Sequence, residues 1–162
     1  APVGVLGVSS FTKILAPGLR LGWVEARPEL LKSLTGKGYI VSGGGVAPFV
    51  SEVVTEALQG GGQDRHLDLL CDEYSRRCSV LCKALDGCEA GFQFERPTGG
   101  YFVWVGLPTG ITATDLLPVA KKHEVALLPG GRCCPDGTLH DSHIRLCFAY
   151  LSESEIKEGV SR

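Results

Sequence analysis

Two short apolar runs near the start of the chain, residues 5–10 and 19–26, set the first constraint on its fold. Each run has the length of a β-strand, and Pro17-Gly18 between them is a turn signal, so the sequence predicts strand, loop, strand. Residues 1 to about 27 cannot bury both faces of a sheet alone. We therefore expect these strands to belong to a larger sheet, and the 162 residues to be a fragment of a longer protein.

The rest of the chain alternates between helix and strand patterns. Helices are predicted from Pro28 to the glycine-rich stretch SGGG at 42–45, from Val46 to the glycines at 60–62, from Leu67 to near Gly87, from Thr112 to His123, and from Ser152, where Glu155 completes a capping box. Strands are predicted at 92–95, 101–105, 125–128 and 144–150, with the first two joined as a hairpin. The predicted fold class is α/β for residues 1–45, followed by a two-layer α+β domain over residues 46–162.

Composition and charge exclude several classes of partner. A hydrophobic content of 44% suits a packed core, while a net charge of −2 without blocks of like charge predicts no nucleic acid and no membrane surface as partner. No apolar run has the length of a membrane span. Seven cysteines, an odd number without a C-x-x-C pair, indicate free thiols in a reducing, cytoplasmic compartment and no metal site.

The loop between the first two strands carries the residues with the clearest chemistry. A lysine amine such as that of Lys13 can form a Schiff base with an aldehyde when its surroundings favour the neutral form. Ser10 and Thr12 flank it with hydroxyls that can donate to phosphate oxygens, and Arg20 offers a planar guanidinium for the same dianion. Together these four residues predict one half of a phosphate-binding site.

The segment SFTKILAPGLRLGW at 10–23 resembles the lysine segment of fold-type I pyridoxal-phosphate-dependent aminotransferases. The resemblance implies that Lys13 binds pyridoxal 5′-phosphate as a Schiff base, and that Arg20, Ser10 and Thr12 bind the phosphate. The interval of seven positions from Lys13 to Arg20 is similar to that of the aminoadipate and kynurenine aminotransferase subgroup, and of the aminotransferase domains of certain bacterial regulators. The chain would then be the C-terminal fragment of that fold, with the edge of the large-domain sheet followed by the small domain.

Two later stretches resemble the same family in the same order. RPTGGYFVWVGLP at 96–108 resembles the hairpin of the small domain, and HIRLCFAYLSESEIKEGV at 143–160 its closing strand and helix. The second match implies that Arg145 binds the α-carboxylate of the substrate, for which a bidentate guanidinium is suited. Phe102 either lines the substrate pocket or belongs to the core. In VALLPGGRCC at 125–134, a cysteine stands where the family usually has an aromatic residue.

The implied activity is transfer of an amino group between an amino acid and a 2-oxo acid, in a homodimer of the full-length enzyme. The family's residues around the pyridine ring lie upstream of its lysine, so we expect these 162 residues alone to be inactive. Three alternatives stay open. They are a cofactor-binding regulatory domain without turnover, a β-lyase or decarboxylase that uses the same lysine, and a small-domain fragment that only packs against partners.

Overall fold

A computed structural model describes residues 4–43, 46–137 and 139–162. The chain forms two compact units, which we name the first unit (Ala1–Leu70) and the second unit (Cys71–Arg162). This division falls inside a long helix. The boundary between 45 and 46 that the sequence predicts concerns the domains of a longer protein and stays a prediction.

The first unit begins with a two-stranded antiparallel sheet. Strand β1 (Gly7–Ser10) pairs with β2 (Gly22–Glu25), and a 3-10 turn at Pro17–Leu19 lies in the loop between them. The strand, loop and strand predicted for this region are confirmed. Both strands are shorter than the apolar runs that predict them.

Helices make up the rest of the first unit: α1 (Pro28–Thr35), α2 (Gly38–Ser42), α3 (Pro48–Gln59) and the start of α4 (Gly62–Asp86). The sequence predicts one helix from Pro28 to the glycine-rich stretch at 42–45, and this is wrong, since α1 ends at Thr35. Gly36 caps it, donating its backbone N–H to the carbonyl of Lys32 at 3.0 Å. Two glycines, Gly36 and Gly38, fall within three residues, and glycine favours helix termination over continuation.

The second unit has a sheet on one side and helices on the other. Its elements after α4 are β3 (Gln93–Phe94), β4 (Phe102–Gly106), α5 (Ala113–Lys122), β5 (Leu128–Pro129), a 3-10 turn (Gly130–Cys133), β6 (His143–Cys147) and α6 (Glu153–Ser161). The strand order is β3-β4-β6-β5, and every neighbouring pair is antiparallel. The predicted hairpin and the two-layer α+β arrangement are thereby confirmed.

Side-chain alternation along the central strands separates the core from the opposite face of the sheet. Val103 and Val105 of β4 are completely buried, and Ile144 of β6 is nearly so. They pack against residues from the helix layer and the adjoining loops: Leu81, Cys82, Leu85, Leu107, Ala113, Phe148 and Ile156. Because successive strand residues point to opposite faces, Phe102, Trp104 and Arg145 share the other face of the sheet.

The strand predicted at 125–128 is reduced to Leu128 and Pro129. Val125 instead donates its N–H to the carbonyl of Ala120 at 2.8 Å, a bond that caps the end of α5 after the left-handed Glu124. Proline has no N–H for the sheet ladder, so it ends the pairing with β6 at Pro129.

The seven cysteines all carry free thiols. Cys82 is buried in the core, and its Sγ lies 4.0 Å from that of Cys78. The pKa of Cys82 is raised to about 11, mainly by burial and secondly by the neighbouring Cys78. This thiol is therefore protonated at neutral pH. In the described ranges, no three His, Cys, Asp or Glu side chains cluster closely enough to hold a metal ion. No described helix is long and apolar enough to cross a membrane.

Gly130 is closely surrounded by backbone. A Cβ at this position would lie 2.3 Å from the carbonyl oxygen of His140, 2.9 Å from that of His143 and 3.0 Å from the ring of Trp104. We predict that Gly130→Ala lowers the free energy of unfolding by about 1–3 kcal/mol, because backbone on two sides must move to admit a methyl group. Chemical denaturation of the intact protein measures this, with Gly99→Ala as control, since nothing lies within 4 Å of a Cβ there. Equal unfolding midpoints would contradict the packing described.

Helix α6 opens with the capping box predicted at Ser152 and Glu155. Ser152 donates from its hydroxyl (2.6 Å) and from its backbone N–H (2.8 Å) to the Glu155 carboxylate, and these two bonds lower the pKa of Glu155. Because the folded-state pKa is lowered, the stabilisation is present above the unfolded-state pKa, ordinarily about 4.3, and is lost as the pH falls through the folded-state value.

We predict that Ser152→Ala raises the pKa of Glu155 toward its ordinary value, since the stronger of the two donors is removed. An NMR titration of the Glu155 carboxyl carbon measures the change. Ser161→Ala is the matched control, because the Ser161 hydroxyl bonds to the carbonyl of Glu158 and not to Glu155. An unchanged Glu155 titration in Ser152→Ala would refute the assigned cause.

Candidate functional site

The two strands of the first unit approach each other closely at the base of the Lys13 loop (residues 11–21). Ser10, the last residue of β1, is the register partner of Gly22, the first residue of β2. A Cβ at Gly22 would lie 2.5 Å from the carbonyl oxygen of Ser9, closer than real Cβ atoms come. Only glycine fits there without displacing the backbone, so Gly22 fixes the separation of the loop's two ends.

Lys13 lies in a tight turn inside this loop. Leu15 and Ala16 both donate their N–H groups to the carbonyl of Phe11, at 2.9 and 3.2 Å. The Phe11 ring packs against Trp23 of β2 with centroids 4.7 Å apart, which ties the start of the turn to the returning strand. Lys13 is exposed on this turn.

Ser10 and Thr12 form a hydroxyl pair next to Lys13. Their oxygens are 2.7 Å apart, and the Thr12 N–H donates to the Ser10 hydroxyl oxygen at 3.0 Å. The Ser10 hydroxyl also lies 3.2 Å from the carbonyl of Leu21 on the other side of the loop. Two hydroxyls are thus held together between the end of one strand and the start of the next.

Arg20 has an unusual backbone conformation, with φ 52° in the left-handed region. This costs a residue with a Cβ about 1–2 kcal/mol and favours glycine. Its guanidinium is exposed and makes one long hydrogen bond, 3.4 Å, to the carbonyl of Pro17. Among the described residues no carboxylate lies within 4.0 Å of it. Strained residues of this kind concentrate at ligand-binding sites.

The donor set of the Lys13 loop fits a phosphorylated aldehyde. Ser10 and Thr12 supply hydroxyl donors, Arg20 a guanidinium without a carboxylate partner in the described parts of the chain, and Lys13 a primary amine. Phosphate dianions are bound by such charge-assisted donors, and amines condense with aldehydes. Three of the four predicted residues lie in the Lys13 loop, and the fourth, Ser10, directly precedes it at the end of β1. Their roles stay predictions.

Arg145 and Phe102 meet on the exposed face of the second unit's sheet. Arg145 is the register partner of Trp104, and its Cζ lies 3.9 Å from the centroid of the Phe102 ring. Phe102 faces away from Val103 and Val105, so it is not a member of the core cluster. In the part of the chain that is described, no carboxylate lies within 4.0 Å of Arg145. Among these residues Arg145 is therefore not an ordinary strand arginine paired with an acid.

Gln63 is a residue near the Lys13 loop that the sequence does not single out. It is only 5% exposed, and its Nε2 donates to the carbonyl of Ile14 at 2.7 Å. A glutamine in the first turn of a helix after three glycines is typical of a solvent-facing position. No pattern in the sequence indicates its burial.

A second missed group surrounds Trp104. His143 stacks on its ring at 5.5 Å, and His140 meets it edge-on at 5.8 Å. These aromatic contacts with Trp104 give both histidines a structural role.

The chain matches known proteins over nearly its whole length. The model of the family described as aminotransferase class I and II matches residues 2–162. Aromatic-amino-acid aminotransferase 1 of Thermococcus litoralis is 32% identical over 98% of this chain and 38% of its own length. The 2-aminoadipate transaminase of Thermus thermophilus is also 32% identical, over 98% of this chain and 40% of its own. The chain thus spans about two fifths of these relatives.

A solved structure has the same backbone arrangement. The kynurenine aminotransferase of Pyrococcus horikoshii, solved with PMP, KYN as substrates and KYA as products, superposes with a TM-score of 0.86 at 30% identity, over 96% of this chain and 38% of that one. The likeness to fold-type I aminotransferases predicted from the three motifs is confirmed.

Proposed function

The chain belongs to the aminotransferase class I and II family, and we propose that the protein containing it transfers an amino group between an amino acid and a 2-oxo acid. Pyridoxal 5′-phosphate is the proposed cofactor. The observation that carries the proposal is the Lys13 loop, where an amine, two paired hydroxyls and the strained Arg20 lie within eleven residues. A homodimer and a reducing, cytoplasmic location belong to the same proposal, the latter supported by the seven free thiols.

Each residue of the Lys13 loop has a part in this proposal. Ser10, Thr12 and Arg20 would bind the phosphate of the cofactor, and the Lys13 amine would bind its aldehyde. When bound, pyridoxal phosphate condenses with amines through its aldehyde and draws electrons from the Cα of an amino acid. Lys13 Nζ would hold the cofactor covalently, and as a free amine it would accept the proton leaving the substrate Cα.

Arg145 is proposed to bind the substrate's α-carboxylate. A guanidinium can make two parallel hydrogen bonds to a carboxylate, and no described acid competes for it. The Phe102 ring beneath the guanidinium restricts its rotation, and the negative face of the ring attracts its positive charge. Phe102 is therefore proposed to orient Arg145 and to line the substrate pocket.

We predict that Lys13 is the residue that binds the cofactor covalently. Borohydride treatment of the intact protein with pyridoxal phosphate should leave one reduced phosphopyridoxyl group on the peptide that contains Lys13. Lys13→Arg should abolish this adduct, because a guanidinium does not condense with the aldehyde at neutral pH. Lys32→Arg, an exposed position in α1, is the matched control and should keep it. An adduct on another lysine would overturn the assignment.

The same preparation distinguishes the enzyme from the regulatory alternative. Addition of an amino acid to the loaded protein should release the corresponding 2-oxo acid if transamination occurs. Release of other fragments of the amino acid would instead support a β-lyase or decarboxylase. A Lys13 adduct without release of any product would support a cofactor-binding regulator.

We predict that Arg145→Gln lowers kcat/KM for amino acids by about 10–100-fold, the amount expected for losing hydrogen bonds to a charged group. Steady-state assays with an amino acid and with the amine that lacks its carboxylate measure the role. The preference for the carboxylated substrate should fall in Arg145→Gln and be partly kept in Arg145→Lys. Arg132→Gln, an exposed arginine of the same unit, removes the same charge as control. An unchanged preference would argue against carboxylate binding.

A further inference from the structure

Gln63 has a buried side-chain amide, of which only the nitrogen has a hydrogen-bond partner among the described residues. It lies in the first turn of α4, is 5% exposed, and donates to the carbonyl of Ile14 at 2.7 Å across 49 positions of sequence. Its Oε1 is buried and has no hydrogen-bond partner among the described residues. Both ends of this contact belong to the first unit.

Burying this amide is costly, and the contact with Ile14 is what offsets the cost. A polar group removed from water loses free energy unless a hydrogen bond replaces the lost one, and glutamine is mostly an exposed residue. A leucine of similar size would fill the same space without an unpaired oxygen. The amide donor is therefore the feature of Gln63 that the fold uses, and Ile14 is the residue it acts on.

The carbonyl of Ile14 directly follows Lys13 in the turn. On the near side of Lys13, the carbonyl of Phe11 is held by the N–H groups of Leu15 and Ala16. On the far side, Gln63 fixes the peptide plane between Ile14 and Leu15. The backbone of Lys13 thus lies between two restrained points, and its orientation decides where the flexible amine can reach.

We propose that Gln63 is a positioning residue for Lys13. Its amide restrains the Ile14 carbonyl through a hydrogen bond and thereby keeps the Lys13 amine directed toward the cofactor. This inference rests on the proposed function. Gln63 is not proposed to contact substrate or cofactor, so the effect of Gln63 should pass through the conformation of the Lys13 loop. Loss of the amide donor should loosen this loop while the helix itself remains formed.

The first test measures the loop without reference to activity. Gln63→Leu keeps the size of the side chain and removes the donor. Hydrogen exchange of residues 11–21 in the intact protein should become about 10-fold faster or more, because Leu15 and Ala16 lose a restrained neighbour. Gln59→Leu is the matched control, an exposed glutamine at the end of α3, and should leave exchange unchanged. Gln63→Asn, which keeps the amide on a shorter arm, replaces Gln63→Leu if that variant does not fold.

The second test asks whether the loop conformation matters for Lys13. In Gln63→Leu, the pH titration of the absorbance of the Lys13-bound cofactor should shift by about 0.5 unit or more. In the same variant kcat should fall about 10-fold while KM changes little, since substrate-binding groups are untouched. Gln59→Leu should match the wild type in each measurement.

The outcomes separate the possible failures. Unchanged hydrogen exchange in a folded Gln63→Leu protein overturns the inference that Gln63 restrains the Lys13 loop. Faster exchange with an unchanged absorbance titration and unchanged kcat overturns the link to Lys13 and leaves Gln63 a structural residue. If borohydride trapping finds no cofactor on Lys13 of the wild-type protein, the proposed function fails first, and the positioning role falls with it even where exchange responds.

Discussion

The close approach of β2 to β1 at Gly22 is the constraint on which the candidate cofactor site depends. Without a Cβ at Gly22, the two strands come together at Ser9 and Ser10, and the loop between them must reverse direction within residues 11–21. Within this reversal Ser10 and Thr12 lie side by side, and Arg20 has a left-handed backbone. The positions of the polar groups therefore follow from a steric condition at a residue that carries no functional group.

The sheet of the second unit separates the hydrophobic core from the proposed substrate-binding residues by side-chain alternation. One face supplies Val103, Val105 and Ile144 to the core, and the other presents Phe102 and Arg145. Hydrophobic burial on the first face holds the strands in place, and the charged residue on the second costs little because its guanidinium stays partly solvated over an aromatic ring. Core residues and proposed binding residues can share a strand because they lie on opposite faces of the sheet.

The sequence predicts the strand, loop and strand around Lys13, the two-layer second unit and the capping box at Ser152, since each has a short-range signal in periodicity, turn residues or cap spacing. It does not predict the burial of Gln63, which arises from a contact between residues 49 positions apart. Nor does it indicate that Arg20 is left-handed, because local preference would place glycine there. The shortness of β5 has a local origin: Val125 bonds back to Ala120 of α5, five positions earlier, although its side chain favours a strand. Only the burial of Gln63 depends on a contact between distant parts of the chain.

Arg145 lies between Ile144, which is buried in the core, and Leu146, which packs against it. A shift of β6 by one residue against β4 would turn this arginine inward and carry both aliphatic side chains out to the solvent, exchanging a favourable burial for an unpaired buried charge. The strand therefore has one acceptable register. The direction in which the guanidinium points is thus set by the aliphatic residues on either side of it, and a change in them would alter the presentation of Arg145 as well as the folding of the strand.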